Sequence, residues 1–306
     1  MKPVPFSTTN SARPAARRLQ TLLEAARTGR RTLIMGVLNV TPDSFSDGGR
    51  FFVPDEALAH AERMVAEGAD ILDIGGESTR PATFATGTPL DVDEELRRIL
   101  PIIHAIAARM PEVPISVDTY KAAVARQAVE AGAAMINDIS AMRADPEMAV
   151  TVAEFGTPVC LMHMPGLPTA LPIKPAYQDV VREVREHLME RAAAARAAGI
   201  APENIVLDPG IGFGKTVAHN LELLRRLREL TSLYPLLLGA SRKSTIGKVL
   251  GDLPPEDRLE GTAATVALSI ANGAAIVRVH DVKEMARVAR MSDAIVRGWP
   301  PPGNTS

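Results

Sequence analysis

Ile34-Met35-Gly36-Val37-Leu38-Asn39-Val40-Thr41-Pro42-Asp43-Ser44-Phe45-Ser46-Asp47-Gly48-Gly49 is an apolar run that ends abruptly in an amide, hydroxyls, carboxylates and flexible glycines. It reads as a buried strand feeding a polar loop, the unit from which parallel α/β folds are assembled. The pattern recurs along the chain, with apolar runs at Ile71 to Ile74, Ile115 to Val117, Met135 to Ile136, Val159 to Met162, Ile205 to Leu207, Leu236 to Leu238 and Ile276 to Val279. Polar residues stand at or just past almost every C-terminal end: Asn39, Asp73, Asp118, Asn137 with Asp138, His163, Asp208, Ser241 to Lys243, and His280 with Asp281. Helix-like segments lie between. Leu96, Ile99, Leu100, Ile103 and Ile106 trace one helical face, and Leu221, Leu224, Leu227 and Leu230 repeat the spacing. The fold class predicted is α/β, a single-domain (β/α)8 TIM barrel with functional residues at the C-terminal strand ends. An open doubly wound sheet is the competing architecture.

The chain has 306 residues and a formal net charge of -2, a balance without the excess of Lys and Arg that a broad nucleic-acid footprint needs. A small-molecule substrate is expected, with no nucleic acid and no membrane, since no apolar run approaches the roughly 20 residues of a span. The single cysteine, Cys160, rules out an intrachain disulfide and suits a reducing compartment, so a cytoplasmic location is expected. Residues 31–298 form the expected domain. Residues 1–30 are basic and read as a partly disordered extension, with one short helix from Pro14 to Thr28 that places Leu19, Leu22 and Leu23 on a face. Their composition faintly suggests a transit peptide, but the apolar centre of a secretory signal is absent. Residues 299–306 read as a frayed tail.

Several segments carry chemistry. Lys243 follows Gly239-Ala240-Ser241-Arg242 in a strand-to-helix turn after strand seven, where barrels often hold anions; the alternative is a solvated basic turn. Arg278 and His280 stand two apart on strand eight and therefore point the same way. Asp118, Asn137 and Asp208 end strands three, four and six, as ligand-reading groups or as helix caps. Gly214-Lys215-Thr216 ends like a phosphate-binding loop, but Pro209 occupies the required first glycine position. The glycines of that block are expected to let the backbone pass beneath a flat ligand.

The opening run resembles the first signature of the dihydropteroate synthase family. Gly75-Gly76-Glu77-Ser78-Thr79-Arg80-Pro81, Asn137-Asp138-Ile139, Leu161-Met162-His163-Met164, Asp208 to Lys215, Ser241-Arg242-Lys243-Ser244 and Arg278-Val279-His280-Asp281 resemble its remaining blocks, in order. The resemblance spans roughly residues 31–290. It implies condensation of (7,8-dihydropterin-6-yl)methyl diphosphate with p-aminobenzoate, releasing pyrophosphate, in folate biosynthesis. It also implies roles for residues. Asp118, Asn137 and Asp208 would hold the pterin edge, with Ile139, Met162 and Phe213 on its faces and Lys243 on its carbonyl and ring nitrogen. Arg278 and His280 would take the pyrophosphate, Thr79 would also contact the pterin diphosphate, and Asn39 would help to bind Mg²⁺. Phe45, Thr79, Arg80, Pro81 and Ser244 would form the p-aminobenzoate pocket, and Asp47 would stabilise positive charge. A homodimer and inhibition by sulfonamides are further implications.

Two departures from the family pattern, Pro81-Ala82-Thr83-Phe84 and Met164-Pro165-Gly166-Leu167, bear on amine affinity. A methyltransferase module that presents methyltetrahydrofolate to a corrinoid protein would share the barrel and the pterin contacts. It has no use for Ser241 to Ser244 together with Arg278 and His280. A pterin-binding protein without catalysis would require damage to a loop, yet Phe45, Asp47, Thr79 and Arg80 are all present.

Overall fold

The computed structural model describes residues 13–40, 54–77, 89–167, 176–231 and 234–299. Eight strands form one parallel sheet: β1 Leu33–Asn39, β2 Ile71–Gly75, β3 Ile115–Asp118, β4 Met135–Asp138, β5 Val159–Met162, β6 Ile205–Asp208, β7 Leu237–Leu238 and β8 Ile276–Val279. The neighbour order is β6-β5-β4-β3-β2-β1-β8-β7. A parallel bridge between Leu207 and Leu236 joins the two ends. The sheet therefore closes into the expected barrel, and the open doubly wound alternative is excluded. All eight apolar runs became strands because side chains on both faces are buried, which leaves no room for polar alternation.

The described helices are α1 Pro14–Arg27, α2 Pro54–Glu67, α3 Val92–Arg109, α4 Ala122–Ala131, α5 Met148–Phe155, α6 Val180–Ala197, α7 Val217–Arg225, α8 Ser244–Val249, α9 Leu259–Ala271 and α10 Val282–Arg297. The expected leucine face from 221 to 230 is not one helix. The helix stops at Arg225, a 3-10 turn covers Leu227–Leu230, and the buried leucines are Leu223, Leu227 and Leu230, whereas Leu221 is exposed. Leucines three apart drift around a helix of 3.6 residues per turn, so Leu221 leaves the buried face and Leu223, at i, i+4 and i+7 with Leu227 and Leu230, takes it.

Alternation along the strands sorts the barrel interior into layers. The lower layer is apolar, with Leu33, Met35, Ile71, Met135, Cys160, Val206, Leu237 and Ile276 in one cluster. Leu19, Leu22 and Leu23 of α1 belong to that same cluster, so α1 covers the barrel floor. The segment expected as an extension thus contributes to the core. Leu23 is fully buried, and Leu23→Ala is expected to lower the unfolding free energy by about 2–5 kcal/mol in denaturant titration. A loss below about 1 kcal/mol would show that α1 packs only loosely.

Above the apolar layer the inward positions turn polar: Asp73, Ser116, Asp118, Asn137, Asp208 and Arg278, all in the strands or at their ends. Among the described residues no helix is long and apolar enough to cross a membrane.

Candidate active site

The polar layer is organised around one arginine. Arg278 Nε donates to Asp73 Oδ2 at 2.6 Å and its Nη2 to Asp118 Oδ2 at 3.1 Å, reaching from β8 to β2 and β3. Asn137 Nδ2 donates to the same Asp73 oxygen at 3.2 Å. Burial works against the charge of Arg278, but Asp73 and Asp118 outweigh it and hold its pKa above the ordinary arginine value. Asp118 is pushed up to about 7, chiefly by burial, with Arg278 pulling the other way. Asp208 is also raised by burial and opposed by Lys243, while one of its oxygens accepts the Gly210 N–H at 2.7 Å.

Asp73 Oδ1, Ser116 Oγ and Asp118 Oδ1 are buried without a hydrogen-bond partner among the described residues. Unmet buried acceptors are costly unless a ligand supplies donors. This layer is therefore suited to a flat, donor-rich ring edge. Above it Ile139, Met162, Met164 and Phe213 form a small apolar cluster, with Tyr120 packed against it. Apolar faces over polar edges fit a heterocycle.

Lys243 approaches from the turn after β7. Its ammonium donates to the Ile211 carbonyl and lies 4.7 Å from the centre of the Phe213 ring. Burial lowers its pKa to about 8, against the opposing pull of Asp208. Arg242, just before it, has φ 57°, a left-handed conformation that needs support in a residue with a Cβ. Its N–H donates to Thr262 Oγ1, its carbonyl accepts from Arg258, and its guanidinium is paired with Asp281. This fixes the direction in which Lys243 and Ser244 leave the turn. Ser244 opens α8 and is exposed.

The block after β6 turns sharply on its glycines. Gly210 has φ 67°, and a Cβ there would lie 2.0 Å from the His163 carbonyl oxygen; at Gly212, φ 86°, it would lie 3.2 Å from Lys243 Cδ. These glycines let the loop pass close to β5 and to the stem of Lys243. Lys215 Nζ turns inward and bonds the carbonyls of Gly210 at 2.9 Å and Phe213 at 3.1 Å, with His163 Nδ1 at 2.9 Å. Burial lowers its pKa to about 7. A lysine committed to its own loop is no phosphate-binding lysine, which agrees with rejecting that motif. The departure at Met164 to Leu167 is anchored by Arg143, whose Nη2 donates to Met164 and Gly166 carbonyls at 2.6 Å each.

His280 stands at the upper rim, with its N–H on Ser241 Oγ at 3.2 Å and its Nδ1 3.1 Å from the same hydroxyl. Asn39 ends β1, partly exposed, opposite Gly75 in register. Among the described residues no group of three or more His, Cys, Asp or Glu could hold a metal ion. Asn39 offers one neutral oxygen donor, which fits a hard cation arriving with substrate oxygens and water rather than a resident metal cage.

The structure thus brings together Asn39, Asp118, Asn137, Ile139, Met162, Asp208, Phe213, Lys243, Ser244, Arg278 and His280 at the C-terminal end of the barrel. The positions Phe45, Asp47, Thr79, Arg80 and Pro81, with the departure at residues 81–84, lie outside the described residues. Sequence reasoning left Asp73 and Lys215 without a role. Asp73 was visible as an inward strand residue two before Gly75; Lys215 was set aside with the motif that contained it.

A profile for pterin binding enzymes matches residues 35–280. The class is therefore a pterin binding enzyme on a (β/α)8 barrel. Dihydropteroate synthase of Bacillus subtilis is 51% identical over 269 residues, covering 87% of this chain and 89% of that one. A Clostridium difficile dihydropteroate synthase crystallised in the presence of pteroic acid superposes with TM-score 0.81 at 49% identity, over 88% of this chain and 98% of that one. A Xanthomonas albilineans dihydropteroate synthase with 4-aminobenzoic acid gives TM-score 0.80 at 47% identity, over 87% and 93%. The chain belongs to the dihydropteroate synthase family.

Proposed function

We infer that this protein condenses (7,8-dihydropterin-6-yl)methyl diphosphate with p-aminobenzoate to 7,8-dihydropteroate and pyrophosphate, a transferase step of folate biosynthesis. The observation that carries the reading is the buried layer of Asp118, Asn137 and Asp208, in which Asp118 Oδ1 and the adjoining Asp73 Oδ1 have no partner among the described residues. Asp118, Asn137 and Asp208 read the donor edge of the pterin, Lys243 meets its carbonyl, and Met162, Ile139 and Phe213 enclose its faces. His280 and the Arg278 nitrogen not bound by carboxylates face the leaving group. Ser244 and the stem of Lys243 receive p-aminobenzoate, together with Phe45, Thr79, Arg80 and Pro81.

The chemistry needs no protein nucleophile. The electron-rich dihydropterin stabilises positive charge on its exocyclic carbon as the C–O bond to pyrophosphate breaks, and the neutral arylamine attacks, its surplus proton passing to the departing pyrophosphate or to water. Asp47 is assigned to the developing cation. The protein contributes orientation and fixed charge. Asn39 would be one oxygen donor to Mg²⁺, which would supply neutralisation of leaving-group charge when bound.

Ligand binding should be coupled to a proton. Asp118 is partly protonated near pH 7 in the free protein, and N–H donors from the pterin favour its ionised form. Binding is expected to release protons there, and affinity should rise from about pH 6 to about pH 8. Titration calorimetry in buffers of different ionisation heat reads the sign; net proton uptake at pH 7 would contradict it.

We propose a homodimer assembled through the helices of the C-terminal half. A groove of about 500 Å³ between α7, α8 and α9 is lined by Leu221, Leu224, Val249, Leu250 and Leu268, several of them exposed. Exposed apolar surface of this kind is commonly covered by a partner. Sedimentation at micromolar concentration should give twice the chain mass, and a single-chain mass would refute it. A cytoplasmic location is proposed from the one buried, unpaired cysteine.

The function is tested by pyrophosphate release and product mass with the pterin diphosphate and Mg²⁺, with and without p-aminobenzoate. Dihydropteroate formed only with both substrates, and lost on chelation with EDTA, is expected. Pterin binding without turnover would favour the methyltransferase-like or non-catalytic reading.

A further inference from the structure

We propose that Asp73 is the positioning residue of the pterin subsite, fixing the amide of Asn137 and the guanidinium of Arg278 through one carboxylate oxygen; the proposal rests on the pterin reading above. Asp73 is completely buried on β2. In the barrel order β8-β1-β2-β3-β4 it stands midway between Arg278 and Asn137, two strands from each. Its Oδ2 accepts from both.

The consequence for Asn137 is one of polarity. A carboxylate only accepts, so Asn137 must present its NH2 group to Asp73. That choice leaves the Asn137 carbonyl oxygen and one N–H in a fixed order for the ligand. An asparagine at position 73 could instead donate, and the neighbouring amide could then flip. Specificity for a donor–acceptor sequence is lost when its supporting groups allow two orientations.

The consequence for Arg278 is one of place. With Nε on Asp73 and Nη2 on Asp118, the guanidinium spans β2 and β3 and occupies Asp118 Oδ2. Asp118 Oδ1 is left without a partner among the described residues. Asp73 thereby decides which oxygen of its neighbour meets the ligand. Asp73 acts through Asn137 and Arg278 by its Oδ2, while its Oδ1, like Asp118 Oδ1, has no partner among the described residues.

The test is a double-mutant cycle on binding of 6-hydroxymethylpterin, with kcat and KM for both substrates measured in parallel. Asp73→Asn keeps the size of the side chain, and circular dichroism with a thermal melt verifies its fold. In the otherwise wild-type chain it is expected to weaken pterin binding about tenfold to a hundredfold and to leave the KM for p-aminobenzoate within about threefold. In an Asn137→Ala background the same change should weaken binding by clearly less than in the wild-type chain, the remaining loss acting through Arg278 and Asp118. Equal losses in both backgrounds, or no loss in either, would overturn the proposal. If the wild-type chain binds pterin without turnover, the synthase reading fails and the cycle still decides the role of Asp73. If it binds no pterin, both fall.

Discussion

Asp208→Ala is expected to lower kcat/KM for the pterin diphosphate by about a thousandfold or more. The carboxylate ends β6, is 5% exposed, and holds the Gly210 N–H at 2.7 Å. It also opposes the loss of charge on Lys243 and Lys215, both of which burial pushes below the ordinary lysine value. Removing it would delete the charge-assisted contact proposed with the pterin, worth about 1.5–3 kcal/mol, and weaken support for two lysines. About 4 kcal/mol of lost transition-state stabilisation corresponds to the expected factor. Asp208→Asn should lose less, because an amide oxygen can still accept from Gly210. Steady-state kinetics on folded variants gives the answer. A loss under tenfold for Asp208→Ala would remove Asp208 from the pterin edge.

Gly210→Ala should be among the most destabilising single substitutions in the chain. Its added methyl group would lie 2.0 Å from the His163 carbonyl oxygen, so β5 or the loop would have to move. The left-handed backbone alone costs roughly 1–2 kcal/mol for an alanine. Steric displacement of backbone against backbone should bring the total above about 4 kcal/mol, enough to deplete folded protein in expression. Gly156→Ala separates the two contributions. Gly156 has φ 60° at the end of α5, and nothing lies within 4 Å of the added Cβ, so only the backbone cost should appear. Urea unfolding of both variants should show the difference; equal losses would mean that the loop after β6 yields easily.

The barrel could be read from the chain because a parallel sheet buried on both faces leaves an unmistakable record. Each strand is a short apolar run, and each polar residue at its end marks the open mouth. The lower interior was not legible. Met35, Met135 and Cys160 look alike whether they face a helix or the barrel centre, and only alternation in three dimensions assigned them to the cluster with Leu19 and Leu23. The buried carboxylates at the barrel mouth were recognisable by position, since each closes an apolar strand. Asp73 was hidden for the opposite reason. It sits within β2 and bonds residues 64 and 205 positions away, pairings that no local spacing encodes. Arg242 and Asp281 were close to recognised residues, but their clamp depends on adjacent strand ends meeting across β7 and β8. Lys215 was discounted by a motif test that answered a different question, whether it binds phosphate. The structure gives it another task, holding a glycine-rich loop together.

The central claim is that the polar layer at the C-terminal end of the barrel recognises the pterin. Titration calorimetry with 6-hydroxymethylpterin on the wild-type protein, Asp118→Asn and Asn137→Ala tests it most directly. One pterin per chain is expected for wild type, with affinity reduced about tenfold or more in each variant that remains folded. Wild-type affinity in both variants would contradict it and place pterin recognition elsewhere in the protein.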